Sequence, residues 1–156
     1  MDYELTKRVL AEFERHRVDY VVVGAVAVNL QGLARATEDL DVFIAPRREN
    51  VERLKSALRA VFDDPHIDEI SAEDLLGEYP AVQYIPPQGG FHIDILTKLG
   101  EAFAFEELKS EKVDLGGVSV TVATPATLYR MKKGTLRPKD WGDADALRRR
   151  FRFPEE

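Results

Sequence analysis

A chain of 156 residues without cysteine can bury one hydrophobic core of ordinary size and has no means of disulfide or thiolate chemistry. Its 44% hydrophobic and 32% charged residues are those of a soluble globular protein, and no apolar run approaches the ~20 residues of a membrane helix. The net charge of -6 argues against a surface that attracts nucleic acid as a whole, and the acidic start Asp2–Glu4 lacks the basic and apolar regions of a secretion signal, so a cytoplasmic domain with no membrane association is expected.

The first element is a helix over residues 4–16, where Leu5, Val9, Leu10 and Phe13 recur at helical spacing with charges between them. Asp19 then precedes Tyr20-Val21-Val22-Val23, a β-branched run ending at Gly24 that reads as a buried strand. The short, alanine-rich segment 25–30 makes a helix directly after that strand, and Gly32 closes it. From about Glu38 to Ala45, Leu40, Val42 and Ile44 alternate with Asp39, Asp41 and Phe43, a second strand that Pro46 ends. A helix over 50–62 carries Val51, Leu54, Leu58 and Val61 on one face. Residues 63–78 are acidic and irregular, with a short helix near 72–76.

Two hairpins follow. Residues 81–85 and 91–96 flank a five-residue loop, Pro86-Pro87-Gln88-Gly89-Gly90, and residues 112–115 and 118–122 flank Gly116-Gly117, a strong two-residue turn signal. Between them, 103–109 is weakly helical. Pro125 opens a further helix, a position that suits proline, and an arginine-rich helix over 139–151 ends the pattern. No repeat, low-complexity tract or linker divides the chain. One α+β domain spanning 1–156, a mixed sheet flanked by helices, is the expected fold.

Chemistry concentrates on three carboxylates. Asp39 and Asp41 stand two apart on a strand, so their side chains share a face and repel. A divalent cation would turn that repulsion into attraction, and Mg²⁺ prefers carboxylate and phosphate oxygens together. A lone Asp-x-Asp more often marks a solvated strand edge. Upstream, however, a strand ends at Gly24 and a helix begins, where unpaired backbone N–H groups favour an anion and glycine lets a phosphate approach. Asp94, in Phe91-His92-Ile93-Asp94-Ile95-Leu96, lies on the face opposite the apolar Ile93 and Ile95. Beside the second strand it would complete a triad suited to in-line phosphoryl transfer. His92, two residues earlier on the same face, is either structural or a neighbour of that metal site.

The segment from Gly24 to Asp41 resembles the signature of DNA polymerase beta-like nucleotidyltransferases, and most of all the AbiEii-type toxin or minimal nucleotidyltransferase branch. That pattern reads Gly, Gly or Ser, any residue, Ala, followed by Gly-x-x-Arg-x-Thr-x-Asp-x-Asp. Gly24, Ala27, Gly32, Arg35, Thr37, Asp39 and Asp41 match it in register, and Asp94 follows as the third carboxylate. A Pro-x-x-Leu-x-x-x-Lys helix (Pro125, Leu128, Lys132), then Lys139-Asp140 and Asp143, extends the resemblance over about 18–147. The resemblance implies a nucleotidyltransferase fold and transfer of a nucleoside monophosphate from an NTP to a hydroxyl acceptor, such as a tRNA 3′ end, a protein or a small antibiotic. It implies Mg²⁺, or Mn²⁺ in its place, on Asp39, Asp41 and Asp94, which are also the catalytic residues. Gly24, Ala25, Arg35, Thr37, Lys132 and Lys139 would bind the nucleotide, with Arg35 and Thr37 also ordering the loop. It further implies the toxin of a toxin–antitoxin pair, with a cognate antitoxin as partner. One position departs from the pattern: Ala25 keeps a backbone N–H but offers no hydroxyl, a difference of about 1 kcal/mol for one neutral hydrogen bond. The alternative is a non-catalytic nucleotide-binding or antitoxin-like partner protein.

Overall fold

Short-range signals start each element in the first half of the chain. The structure, a computed structural model, describes residues 2–33, 39–99, 103–133 and 138–153, without the side chains of 133 and 138–141. Asp2 caps α1 (Tyr3–Arg15), its carboxylate accepting from the Leu5 N–H at 3.0 Å. The helix buries Val9, Leu10 and Phe13 as expected, with Thr6 beside them and Leu5 only half-buried. β1 (Tyr20–Val23) is buried along its whole length and passes without a loop into α2 (Gly24–Leu30). β2 (Asp39–Ile44) and α3 (Arg48–Val61) follow, and α3 is tied back to β1 by the buried Asn50. The Asn50 amide accepts from the Asp19 N–H at 2.8 Å and donates to the carbonyls of Asp19 and Ala45, each at 3.0 Å.

A 3-10 turn over Pro65–Glu69 forms where the sequence signals no regular structure; Asp64 opens it by accepting from the His66 N–H. α4 (Ala72–Leu76), capped by Ser71, matches the short helix expected there. β3 (Ala81–Tyr84) and β4 (His92–Leu96) form the first hairpin. The weak helix expected over 103–109 does not form. β5 (Lys98–Leu99) pairs instead with β6 (Phe103–Ala104), and a 3-10 turn covers Phe105–Glu107. A segment this short is far below the ~12 residues at which a helix holds itself together, and here Phe103, Phe105 and Leu108 pack against the core without one. β7 (Ser110–Leu115) and β8 (Val118–Ala123) make the second hairpin. Gly116 and Gly117, at φ 57° and 93°, supply the two left-handed residues that its tight turn demands. α5 (Pro125–Lys133) and α6 (Pro138–Phe151) pack on each other to end the chain.

The six main strands form one mixed sheet in the order β3-β4-β2-β1-β8-β7. β2 runs parallel to β4 and antiparallel to β1, while β1 runs parallel to β8. α1 packs on α3 and β8; α2 packs on β1 and β2. Phe13, Phe43, Leu54, Leu58, Ile93 and Ile95 are fully buried between these layers. The architecture is the α+β fold expected, and its parallel β2–β4 contact is what positions the carboxylates.

Candidate active site

Strand periodicity sends Asp39 and Asp41 to one face of β2, and the neighbouring Leu40 and Val42 into the core. On β4 the same alternation buries Ile93 and Ile95 and leaves His92 and Asp94 on the other face. The parallel register sets Asp41 opposite Asp94 and Asp39 opposite His92. Adjacent strands lie about 4.8 Å apart, within reach of two short carboxyl side chains. The Asp41 and Asp94 carboxyl groups come within hydrogen-bonding reach of each other.

Burial, the neighbouring Asp94 carboxyl with its charge, and the charge of Asp39 push the pKa of Asp41 up to about 7, against a weaker opposing pull from Lys132. Gly24 makes the close packing possible. At φ +70° it adopts a conformation that L side chains rarely take, and a Cβ there would collide with the Asp41 carboxylate and lie 2.9 Å from its Cγ.

The pair faces a cleft of about 690 Å³, lined also by Gly24, Gln83 and Lys132 and by the apolar Leu96, Leu128 and Met131. Lys132 reaches it from α5, and its Nζ lies 2.8 Å from Oδ2 of Asp143 on α6, both side chains only 10% exposed. Thr124 caps the start of α5, its hydroxyl accepting from the Thr127 N–H at 3.2 Å.

Of the residues expected at the site, Asp41, Asp94, Gly24 and Lys132 therefore come together around one cleft. Ala25 follows Gly24 in α2, half-buried. Asp39 is on the same face but engaged elsewhere, with Nδ1 of His92 lying 3.0 Å from its Oδ1. Among the described residues, no group of three His, Cys, Asp or Glu side chains is spaced to hold a metal ion. Arg35 and Thr37 lie outside the described residues, as does the side chain of Lys139. Sequence reasoning gave no task to Asp143, Gln83 or the His92–Asp39 contact. Gln83 stands opposite Asp94 on the edge strand, a position that only the hairpin register reveals.

Asp41 and Asp94 are the hard oxygen donors facing the cleft that would hold a divalent cation, were one bound. Asp39 adjoins them on the same face.

Among solved structures, the lincomycin-bound crystal structure of the lincosamide antibiotic adenylyltransferase LnuA is similar at a TM-score of 0.60 and 12% identity, covering 93% of this chain and 95% of that one. ANT(2")-Ia in complex with adenylyl-2"-tobramycin gives 0.59 and 12%, over 96% and 88%. An antigenic nucleotidyltransferase-like protein from Paracoccidioides brasiliensis gives 0.58 and 18%, over 94% and 75%. At these identities the likeness establishes the fold. No match was found among curated proteins. Among the described residues, no helix is long and apolar enough to cross a membrane. The family model for the nucleotidyl transferase AbiEii toxin of type IV toxin–antitoxin systems matches residues 8–155, from within α1 to beyond the end of α6. A match of that extent makes the chain a member of the AbiEii nucleotidyl transferase toxin family.

Proposed function

We propose that this chain transfers a nucleoside monophosphate from an NTP to a hydroxyl acceptor, with Mg²⁺ held by Asp41 and Asp94 and joined by Asp39. The observation that carries the reading is the Asp41–Asp94 contact at the base of a cleft that also holds Lys132. The bound cation supplies charge neutralisation for the triphosphate and lowers the pKa of an attacking hydroxyl. Asp94 accepts the proton of the acceptor hydroxyl, whose oxygen forms a bond to the α-phosphorus as the bond to the β-phosphate oxygen breaks and pyrophosphate leaves. Lys132 pairs with the charge that develops on the leaving phosphates, and Asp143 holds it in place. Gly24 keeps the backbone close enough for the phosphates to enter beside Asp41. Arg35, Thr37 and Lys139 join the nucleotide site on the strength of the family pattern alone.

The acceptor is a tRNA 3′ end or a protein hydroxyl, and the biological setting is a toxin restrained by a cognate antitoxin. Two of the similar structures hold an antibiotic or its adenylylated product, which makes a small hydroxylated compound the third acceptor class to test. Ala25 favours one second reading, a nucleotide binder without turnover, because the hydroxyl or glycine usual at that position is missing.

The test is incubation of the purified chain with each labelled NTP, Mg²⁺, and in turn bulk tRNA, cell lysate and hydroxylated antibiotics. Labelled product that disappears in Asp41→Asn supports transfer. NTP binding with no product from any acceptor supports the binder. Absence of both binding and product overturns the proposal.

A further inference from the structure

Four residues on adjacent strands stand in one row across the sheet. Val23 on β1 lies opposite Asp41 on β2, Asp41 opposite Asp94 on β4, and Asp94 opposite Gln83 on the edge strand β3. All four line the cleft. At about 4.8 Å per strand the row spans about 14 Å, from the Val23–Gly24 junction to Gln83. In the proposed transfer the phosphates lie at the Gly24 end, where Lys132 reaches in from α5, the helix packed on α2. In-line displacement puts the attacking oxygen opposite the leaving pyrophosphate, so the acceptor enters from the Asp94 and Gln83 end. Of the described lining residues there, Ala81, Leu96 and Leu99 are apolar and Gln83 carries the hydrogen-bonding group. Gln83 is exposed, and among the described residues its amide has no hydrogen-bond partner.

We propose that Gln83 binds the acceptor: its amide N–H donates to the oxygen of an uncharged hydroxyl-bearing group, whose own hydrogen turns to Asp94. The inference rests on the reading of the cleft as a site of nucleotidyl transfer. Directly opposite residues have their Cβ atoms about 5 Å apart, so one oxygen can lie within hydrogen-bond distance of both the amide and the carboxylate. Two hydrogen bonds then fix the hydroxyl and leave a lone pair for the α-phosphorus. The proton passes to Asp94 as the new oxygen–phosphorus bond forms and pyrophosphate departs. A neutral amide among apolar neighbours offers no countercharge, which is why the acceptor group is uncharged.

The test uses the full chain with labelled NTP and Mg²⁺, and bulk tRNA, cell lysate and hydroxylated antibiotics as acceptor probes, the rate being read at limiting acceptor. NTP affinity is read separately by calorimetry. Gln83→Met keeps the length of the side chain and removes its hydrogen-bonding amide at an exposed position that burial does not constrain. Expected are a fall of about five- to tenfold in the rate at limiting acceptor and an unchanged NTP affinity. Gln83→Glu, which exchanges the donor for a charge, is expected to fall at least as far. A wild-type rate in Gln83→Met, while Asp41→Asn makes no product, overturns the role of Gln83 and leaves the transfer reading standing. An equal weakening of NTP binding does the same, by making the residue part of the nucleotide pocket. A faster rate in Gln83→Glu overturns the uncharged acceptor. No product from the wild type with any of these acceptors overturns the transfer reading, and the role of Gln83 with it.

Discussion

Asp41 carries the largest electrostatic tension at the site, and its consequence for stability has a definite sign. Its pKa rises from 3.8 to about 7 in the folded chain, so between those values the native state binds more protons at this group than the unfolded state. The contribution to stability is fully present below about pH 4 and is lost as pH rises to about 7. Thermal denaturation from pH 4 to 8 in EDTA should therefore show the wild type losing stability against Asp41→Asn, by on the order of 4 kcal/mol at the alkaline end. Added Mg²⁺ should remove most of that difference, because the ion replaces the proton. A gap that stays constant across the pH range would contradict the assignment. Gly24 belongs to the same residue-scale argument. Gly24→Ala combines a positive φ with a Cβ set against the Asp41 carboxylate, and a loss of about 2 kcal/mol in urea unfolding is expected, with loss of transfer. The glycine was legible from its place after a β-branched run, but its purpose was not. Phosphate approach was the sequence-level reason for it, whereas the collision with Asp41 depends on where β2 passes.

At the scale of elements, periodicity and turn chemistry carried most of the information. Val51, Leu54 and Leu58 define α3, and Gly116-Gly117 defines the β7–β8 hairpin, because each is a local pattern of side chains or dihedrals. Residues 103–109 show the limit of that reasoning. Their weak helical spacing gives way to a β5–β6 ribbon because backbone pairing with Lys98–Leu99 satisfies donors that a helix of so few residues would leave open. Asn50 was equally illegible. It begins inside a helix, yet its three hydrogen bonds join α3 to Asp19, 31 residues away, and to Ala45. Asn50→Ala would strand buried backbone groups at the base of β1, and a loss of about 2–4 kcal/mol in urea unfolding is expected. Since these bonds lie at the opposite end of β1 from Gly24, transfer activity per folded molecule should be unchanged.

For the whole molecule, the decisive fact is that β2 and β4 are parallel neighbours separated in sequence by α3, α4 and β3. The three acidic positions were legible from alternation and from their family pattern, but no local signal sets Asp41 opposite Asp94 rather than one residue along the strand. Closure of the cleft from its other side is likewise a long-range event, in which α5 and α6 meet through Lys132 and Asp143. Burial of this ion pair argues that it serves position more than stability, since two buried charges lose nearly as much hydration as they gain in attraction. That distinction can be measured. Asp143→Asn removes one charge from beside a buried ammonium, and a loss of about 3 kcal/mol is expected in urea unfolding. Lys132→Met combined with Asp143→Asn removes both charges and should recover much of that loss. NTP affinity, followed by calorimetry, should behave differently: weakened in Asp143→Asn and not recovered in the double variant, because the cation facing the triphosphate is then absent. Recovery of both stability and affinity would make the pair a fastening of α5 to α6 and nothing more.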